Sequence, residues 1–264
     1  MLNSVLLLDS ITDADSLAGD RIVVSGSHGG LYPAAVASKW GIRAVLFNDA
    51  GIGLERAGVA GVLALDKIGM AAAGVDCHSC YIGSAQDMFE RGRISVVNAV
   101  AAQLGVEEGM MVKKATGLFQ NAVRPHSSMA PYKESRWETT LDKSGTVVRL
   151  LDSAALVDVQ DDGQIIVTGS HGGLIGGDPA RALKALAKIA VFNDAGIGID
   201  EIGISRLPAL EQRDVAAVTV DCTTARIGDA RSAFNTGIIS HTNPTARWMG
   251  ATKGLALKVW LSNL

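Results

Sequence analysis

Histidine, cysteine and acidic side chains, the groups that most often transfer protons or act as nucleophiles, lie in this chain within short words that occur twice. Gly26-Ser27-His28-Gly29-Gly30 recurs as Gly169-Ser170-His171-Gly172-Gly173, and Val75-Asp76-Cys77 recurs as Val220-Asp221-Cys222. An imidazole titrates near neutral pH and can accept and return protons without large adjustment, whereas a thiol must be activated. The repeated words therefore predict paired acid–base groups, with the two histidines as the leading pair and the two cysteines as the second.

The glycine-rich word has the composition of an anion-binding turn. An apolar, β-branched run precedes it in both copies, and an alanine-rich stretch that we expect to be helical follows it, over Pro33–Trp40 and Pro179–Lys188. Free N–H groups at the start of a helix attract anions, and glycine lets a ligand approach the backbone. We expect an anionic group to be bound by the residues that flank the two histidines: Ser27, Gly29, Gly30, Ser170, Gly172 and Gly173. The alternative is a tight turn in which the histidine packs or caps.

A third word, Phe47-Asn48-Asp49-Ala50-Gly51-Ile52-Gly53, recurs unchanged over 192–198. Asn and Asp favour turns and helix caps, which is the structural interpretation. In the functional interpretation, Asp49 and Asp194 orient a histidine or bind substrate directly, and Asn48 and Asn193 contact the substrate. His28, Asp49 and Asp76 could contribute metal ligands, but no tight ligand spacing supports such a site, and we expect none.

Two further features differ between the copies. Cys80 stands in C-x-x-C spacing with Cys77, but the second copy has Ala225 at the matching place, so we expect neither a zinc site nor a redox pair. A small buried residue is the alternative role for each repeated cysteine. Arg226 stands where the first copy has Tyr81, and its planar guanidinium suits a substrate carboxylate or, equally, a surface salt bridge. Neither G-x-G-x-x-G nor a Walker loop occurs, so we expect no cofactor.

The elements that carry these words alternate between strands and helices. In each copy, further apolar runs at 42–47 and 189–192, and at 70–75 and 215–220, end in the polar words, and helical stretches follow them. Continuous apolar strands alternating with helices indicate a mostly parallel sheet covered on both faces. Ligands bind beyond the carboxyl ends of such strands, which is where the repeated polar residues lie. The sequence predicts an α/β fold, a tandem duplication with two pseudo-symmetric lobes.

The repeat also sets the expected domain boundaries. Matching words are 143 residues apart at first and 145 residues apart later, because the region of Gly176-Gly177-Asp178 carries two extra residues. We divide the chain into a first α/β repeat over 1–112, a linker or partly helical excursion over 113–144, and a second α/β repeat over 145–264.

Composition excludes several classes of protein. The chain of 264 residues is 48% hydrophobic with a net charge of −3, which argues against disorder and against nucleic acid as a partner. No apolar run reaches the roughly 18 residues of a membrane span, and the first residues read as a strand rather than a signal peptide. Three cysteines suggest reduced thiols and a cytoplasmic protein. Abundant Ala and Gly allow close helix packing that could extend to a homo-oligomer.

Two similar α/β lobes with one repeated cysteine each resemble the cofactor-independent aspartate/glutamate racemases. The resemblance covers architecture only, since Asp9-Ser10 is not followed by Gly-x-Gly-Gly, nor Cys77 by Asn-Thr. A two-fold arrangement of the lobes would place equivalent proton donors on opposite faces of a substrate in the cleft between them. We expect an acid–base isomerase or racemase acting on a small anionic, carboxylate-bearing metabolite. An amidase-like hydrolase with a Cys/His or Ser/His pair and a non-catalytic metabolite-binding protein are the alternatives.

Overall fold

A computed structural model describes residues 5–141 and 145–264 and shows two lobes, each built on one sheet. In the first lobe the strands lie side by side in chain order: β1 (Val5–Leu8), β2 (Ile22–His28), β3 (Ala44–Asn48), β4 (Ala71–Val75) and β5 (Ile94–Val97). The first four strands are parallel, and β5 runs antiparallel to β4. The helices of this lobe are α1 (Leu31–Lys39), α2 (Ala60–Ala64), α3 (Ala85–Arg91), α4 (Ala99–Gln103) and α5 (Val112–Leu118).

The second lobe repeats this plan and adds one strand. Its sheet contains β6 (Arg136–Thr140), β7 (Val147–Leu151), β8 (Ile165–His171), β9 (Ile189–Asn193), β10 (Ala216–Val220) and β11 (Ile239–Thr242), again in chain order. Strands β7 to β10 are parallel, while β6 and β11 are antiparallel edges. The helices are α6 (Arg206–Glu211), α7 (Ala230–Thr236), α8 (Pro244–Trp248) and α9 (Leu257–Leu261). The predicted α/β fold with two similar lobes is confirmed.

Each sheet buries both faces, which explains why its strands are almost wholly apolar. Along β2 and β3, Val23 and Phe47 point into the core beneath α1 and α2. The alternate residues Val24 and Leu46 point into a second core beneath α3 and α5. Side chains of a strand alternate between faces, so a strand covered on both sides needs apolar residues at every position.

One predicted helix is wrong. The stretch Pro179–Lys188 forms only a short 3-10 turn at Pro179–Arg181, and the rest is irregular. In the first lobe, α1 packs directly on Gly61, where even a methyl group would collide with the Gly30 carbonyl. The residue at the matching place in the second lobe is Arg206, whose side chain needs the space that a helix would fill.

Two arginines satisfy the backbone groups that this missing helix would have paired. Arg206 donates from Nε to the Gly173 carbonyl at 3.0 Å and from Nη1 to the Ala182 carbonyl. Arg213 donates to the carbonyls of Leu183 and Ala185 at 2.7 and 3.0 Å. Buried carbonyls need partners, and here guanidinium groups replace the helical N–H groups.

The segment between the repeats is partly regular. Helix α5 begins at Val112, a 3-10 turn follows at Phe119–Asn121, and an irregular stretch leads to β6, which pairs with β7. Helix α9 begins at Leu257, the place that matches Val112 at the offset of 145. The division of the chain near residues 112 and 145 stays a prediction. Among the described residues, no helix has the length and apolar character needed to cross a membrane.

The lobes meet at the two Asn-Asp-Ala-Gly-Ile-Gly words, which form left-handed turns. Ala50, Gly51 and Ile52 have φ values of 50°, 71° and 62°, and Ala195 and Ile197 repeat this with 50° and 64°. Left-handed conformations cost about 1–2 kcal/mol per non-glycine residue, so tertiary contacts must hold these turns in place. A small apolar core encloses them at the boundary between the lobes, formed by Ala50, Ile82, Ala195 and Ile227.

Candidate functional site

Both Ser-His words face one shared cavity between the lobes. It has a volume of about 380 Å³, and its walls include Ser27 and His28 from the end of β2 and Ser170 and His171 from the end of β8. The loops after β1 and β7 complete it with a further serine from each lobe, Ser10 and Ser153. The carboxyl ends of equivalent parallel strands thus meet across the pseudo-two-fold axis, at the edge where α/β sheets bind ligands. We call this cavity the cleft.

The serines of the two words hold the cleft loops in place. Ser27 Oγ accepts a hydrogen bond from the Ile11 N–H at 3.0 Å, and Ser170 Oγ accepts one from the Ala154 N–H at 2.9 Å. Each serine therefore ties its own strand end to the loop after the neighbouring strand of the same lobe. Their hydroxyl protons remain able to donate to a ligand.

The glycines next to the histidines do not offer a ready anion site. The N–H groups of Gly29 and Gly172 donate to the carbonyls of Asn48 and Asn193 at 2.9 and 2.8 Å. The Gly30 N–H donates to His28 Nδ1 at 3.1 Å. In the described part of the second lobe, moreover, no α-helix directly follows the turn. These three donors are used within the protein, so an anion in the cleft needs donors from elsewhere.

Both imidazoles are held in their neutral form by burial. Burial lowers the pKa of His28 to about 4. Burial, then the charge of Arg206 and the proximity of His28, hold the pKa of His171 well below its usual range. Because His28 Nδ1 accepts a hydrogen bond, its neutral ring carries the proton on Nε2. His171 is only 6% exposed, and its Nδ1 has no hydrogen-bond partner within the described part of the chain.

A buried cation lies beside His171 in the wall of the cleft. Arg206 is 2% exposed and stacks over the Phe192 ring at 5.1 Å, and no carboxylate among the described residues pairs with it. Burial, together with the charge of Arg181, lowers the pKa of Arg206 to about 10, so the group remains charged at neutral pH. An unpaired buried charge is unfavourable, and an anion in the cleft would compensate it.

The segment between the repeats contributes a carboxyl group. Glu134 lines the cleft beside the hydroxyl groups of Tyr32 and Ser153. Burial raises the pKa of Glu134 to about 7, despite the lowering effect of these two hydroxyls. Sequence reasoning missed Glu134, Tyr32 and Arg206 because none belongs to a repeated word. The sequence contains one indication of Arg206, because the two copies differ at this position and the matching residue of the first copy is Gly61.

Asp49 and Asp194 do not orient the histidines. Asp49 Oδ1 accepts hydrogen bonds from the backbone of Gly51 and Cys77 at 3.0 and 3.1 Å, and Ser95 Oγ donates to Oδ2 at 2.7 Å. Asp194 accepts the matching backbone bonds in the second lobe. Burial raises the pKa of both carboxyls, and these donors oppose the rise. The aspartates therefore fix the left-handed turns to the cysteine loops.

Asn48 and Asn193 are fully buried and close the same turns. Their Oδ1 atoms accept the N–H groups of Ala50 and Ala195, each at 2.9 Å. The Nδ2 atom of Asn193 donates to the Ala225 carbonyl at 3.0 Å. Neither asparagine lines the cleft, so the structure favours the turn-forming interpretation of this pair.

The two repeated cysteines lie outside the cleft, at the contact between the lobes. A methyl group on Gly196 would lie 3.1 Å from Cys77 Sγ, and one on Gly51 would lie 3.2 Å from Cys222 Sγ. Each sulfur thus reaches the glycine turn of the opposite lobe. Burial, with the nearby aspartate charges, raises the pKa of Cys77 strongly and that of Cys222 to about 12. Both are therefore protonated thiols at neutral pH.

The cysteines come close to aspartates rather than to the two histidines of the cleft. Asp49, Asp76 and Cys77 place ligand atoms within 4.8 Å of one another, and Asp194, Asp221 and Cys222 do the same. His28 belongs to neither group. Cys222 borders a separate, open cavity of about 360 Å³.

Arg226 binds carboxylates of its own chain. Its Nη1 contacts Glu55 of the first lobe at 3.0 Å, and its Nη2 contacts Asp229 at 2.8 Å. It borders a smaller cavity of about 260 Å³ that shares His28 and Tyr32 with the cleft. The structure thus shows Arg226 as a link between the lobes, and a substrate carboxylate would have to displace Glu55.

Comparison of the chain with family models, curated proteins and solved structures found no match. Its function therefore has to be inferred from the geometry of the cleft.

Proposed function

We propose that this protein is a cofactor-independent enzyme that performs acid–base chemistry on a small anionic molecule in the cleft. The observation that carries the proposal is the pairing of His28 and His171, which come from equivalent strand ends and line one cavity of about 380 Å³. A cavity of this size suits a small metabolite. An isomerase or racemase that moves a proton on carbon is the reaction class that this arrangement supports best.

The protonation state of the imidazoles supports proton transfer by the pair. In His28, whose pKa burial lowers to about 4, the hydrogen bond from Gly30 occupies Nδ1, so the neutral ring has a proton on Nε2 to donate. His171, whose pKa is held well below its usual range, is also neutral, and its Nδ1, which has no hydrogen-bond partner among the described residues, has a lone pair to accept a proton. Because the resulting imidazolium would be disfavoured by burial, an anionic substrate next to it would assist the transfer.

The anionic character of the substrate is supported by Arg206. This guanidinium reaches the cleft without a carboxylate partner among the described residues, and Arg181 and Lys184 lie in the same wall. The three cysteines are free and buried, which fits the reducing cytoplasm that we propose as the location.

The geometry favours this function over hydrolysis. The thiols of Cys77 and Cys222 lie outside the cleft and are protonated, so neither is poised as a nucleophile. Ser27 Oγ and Ser170 Oγ each already accept a backbone N–H. Binding without catalysis would use the same cleft, and the experiment below separates the two.

The test is proton exchange in D₂O. We expect the protein to catalyse deuterium incorporation at the carbon next to the carboxylate of at least one member of a panel of small carboxylic acids, followed by ¹H NMR. His28→Ala and His171→Ala should each reduce this exchange by roughly 100-fold or more, the usual contribution of a general base, with unchanged circular dichroism. His78→Ala is the matched control, because His78 is an exposed histidine outside the cleft.

Ligand-induced thermal stabilisation without exchange would point to a binding protein and would overturn the catalytic proposal. Unchanged exchange in both histidine variants would equally overturn it.

A further inference from the structure

The charged side chains that line the cleft are mostly paired within the protein. Among the carboxyls, Asp13 pairs with an arginine at 3.6 Å. The two oxygens of Asp152 accept backbone N–H groups at 2.9 and 3.1 Å. Glu134 differs, because among the carboxyls of the described cleft wall it alone pairs with neither a cation nor a backbone N–H, and the hydroxyls of Tyr32 and Ser153 lie beside it. Its carboxyl therefore remains available to a ligand.

The cations follow the same pattern. Arg181 pairs with Asp13, and Lys184 Nζ donates to the Ala155 carbonyl at 2.8 Å. Arg206 uses Nε and Nη1 for backbone carbonyls, and its Nη2 makes no hydrogen bond to another described residue. The cleft therefore presents one available guanidinium and one available carboxyl group.

The two groups have different neighbours in the cleft wall. Arg206 lies beside His171, whose pKa its charge helps to lower. Glu134 lies beside Tyr32, in the first turn of α1 directly after the His28 word, and beside Ser153 of the second lobe. A ligand that contacts both groups would therefore touch the parts of the wall that also contain His171 and His28.

We propose that the cleft recognises a two-ended molecule, with an anionic group held at Arg206 and an ammonium or hydroxyl group held at Glu134. This inference rests on the proposed binding of a small anion in the cleft and adds the chemistry of the ligand's other end. The carboxylate accepts hydrogen bonds from the ammonium or hydroxyl group, and the guanidinium donates to the anion.

Because the chain is a duplication, it is informative that Arg206 and Glu134 each occur without a repeated counterpart. Two identical lobes would present identical ends, and a ligand could bind in two orientations. Here Gly61 stands at the place in the first lobe that matches Arg206. Glu134 comes from the segment between the repeats and lies opposite no second such carboxyl in the described wall. The ligand would consequently bind in one orientation only.

The test uses a matched set of four-carbon probes in isothermal titration calorimetry. The set contains butanoate, butylamine, and the 2-, 3- and 4-amino and 2-, 3- and 4-hydroxy derivatives of butanoate. We expect at least one substituted butanoate to bind about tenfold or more tightly than both butanoate and butylamine, since hydrogen bonds to charged groups contribute about 1.5–3 kcal/mol. Varying the substituted carbon accommodates the separation of the two ends.

Variants identify the groups responsible. Glu134→Gln should remove most of the advantage of the preferred probe over butanoate and leave butanoate binding itself within about twofold. Glu138→Gln is the matched control, because Glu138 lies four residues further on, 58% exposed and outside the cleft. Arg206→Lys, which keeps the charge, should weaken every carboxylate probe while leaving butylamine unaffected.

Equal binding of butanoate and all its derivatives, or an unchanged preference in Glu134→Gln, would overturn this inference, as would the absence of binding at about 10 mM for every probe. Because the readout is binding, a two-ended preference without D₂O exchange would support this inference while overturning the catalytic proposal.

Discussion

The contact between Gly51 and Gly196 allows a close approach of the two lobes, and Gly51→Ala tests it. A methyl group on Gly51 would lie 2.7 Å from Gly196 Cα, 3.1 Å from Gly196 N and 3.2 Å from Cys222 Sγ. Two of these atoms belong to backbone, which cannot move aside without separating the lobes. Gly51 also has a φ of 71°, a conformation that alanine adopts only at a cost.

The expected loss has two parts. A left-handed alanine costs about 1–2 kcal/mol, and forcing an extra methyl group into a packed contact costs about 1–3 kcal/mol. Gly51→Ala should therefore lower the free energy of unfolding by about 2–5 kcal/mol, a large share of the usual 5–15 kcal/mol. Gly196→Ala, with a φ of 76° and the same 2.7 Å approach to Gly51 Cα, should match it.

Gly163→Ala separates the cost of the left-handed conformation from the cost of the packed contact. Gly163 has a φ of 70°, almost that of Gly51, but nothing lies within 4 Å of an added methyl group. Its loss should therefore be only the conformational cost of about 1–2 kcal/mol. Urea unfolding of both variants followed by circular dichroism measures the difference. If Gly51→Ala and Gly163→Ala lower the free energy of unfolding by amounts that agree within about 0.5 kcal/mol, the close contact between the lobes is refuted.

Three further predictions concern the buried titratable groups. Iodoacetamide should label Cys222 in the folded protein at pH 7 at least about 100-fold more slowly than a free cysteine peptide, because the pKa is raised to about 12; labelling at the free rate would contradict this. Stability should fall with acid between about pH 6.5 and 4, where the unfolded chain protonates a histidine that the folded chain keeps neutral at His28. Glu134 opposes this loss of stability, because its pKa is raised from 4.5 to about 7. Between these two pH values the folded chain binds a proton at Glu134 that the unfolded chain does not bind. Glu134→Gln should therefore steepen the fall in Tm from pH 7 to pH 4.5, and an unchanged slope would contradict the assignment. Arg206→Met should cost about 2–4 kcal/mol in urea unfolding by leaving two buried carbonyls unpaired, with faster amide exchange over 174–186; exchange unchanged there would show that the arginine does not hold this segment.

The sequence predicted the features that the two copies share. Identical words at a constant offset implied equivalent lobes, and their position after apolar strands placed His28 and His171 at the carboxyl ends of β2 and β8. That inference needs only the period of the strands and the chain order of a parallel sheet. The shared words also marked the turns at Gly51 and Gly196, although no pattern of residues indicated that the non-glycine residues of these turns adopt left-handed conformations.

What the sequence could not predict comes from residues that differ between the copies. The alanine-rich stretch Pro179–Lys188 has good helix formers, yet Arg206 and Arg213, far along the chain, donate hydrogen bonds to its carbonyls at Ala182, Leu183 and Ala185. Local propensity is overridden by such a tertiary contact. Glu134 lies in a polar segment whose position relative to the cleft depends on the pairing of β6 with β7. No periodic pattern encodes either placement.

The departures from symmetry suggest how a duplicated chain could acquire a directional site. The repeated residues supply what both lobes need: strand ends, serines that hold loops, and an imidazole on each side of the cleft. The unrepeated residues, Arg206 and Glu134, add a guanidinium and a carboxyl group to the cleft wall. If these two residues determine how the ligand is oriented, then a substitution that removes one of these interactions should reduce the preference for one orientation before it unfolds the lobes. Glu134→Gln is the sharper test of this point, because Glu134 pairs with no described cation and its hydroxyl partners can bond equally to an amide.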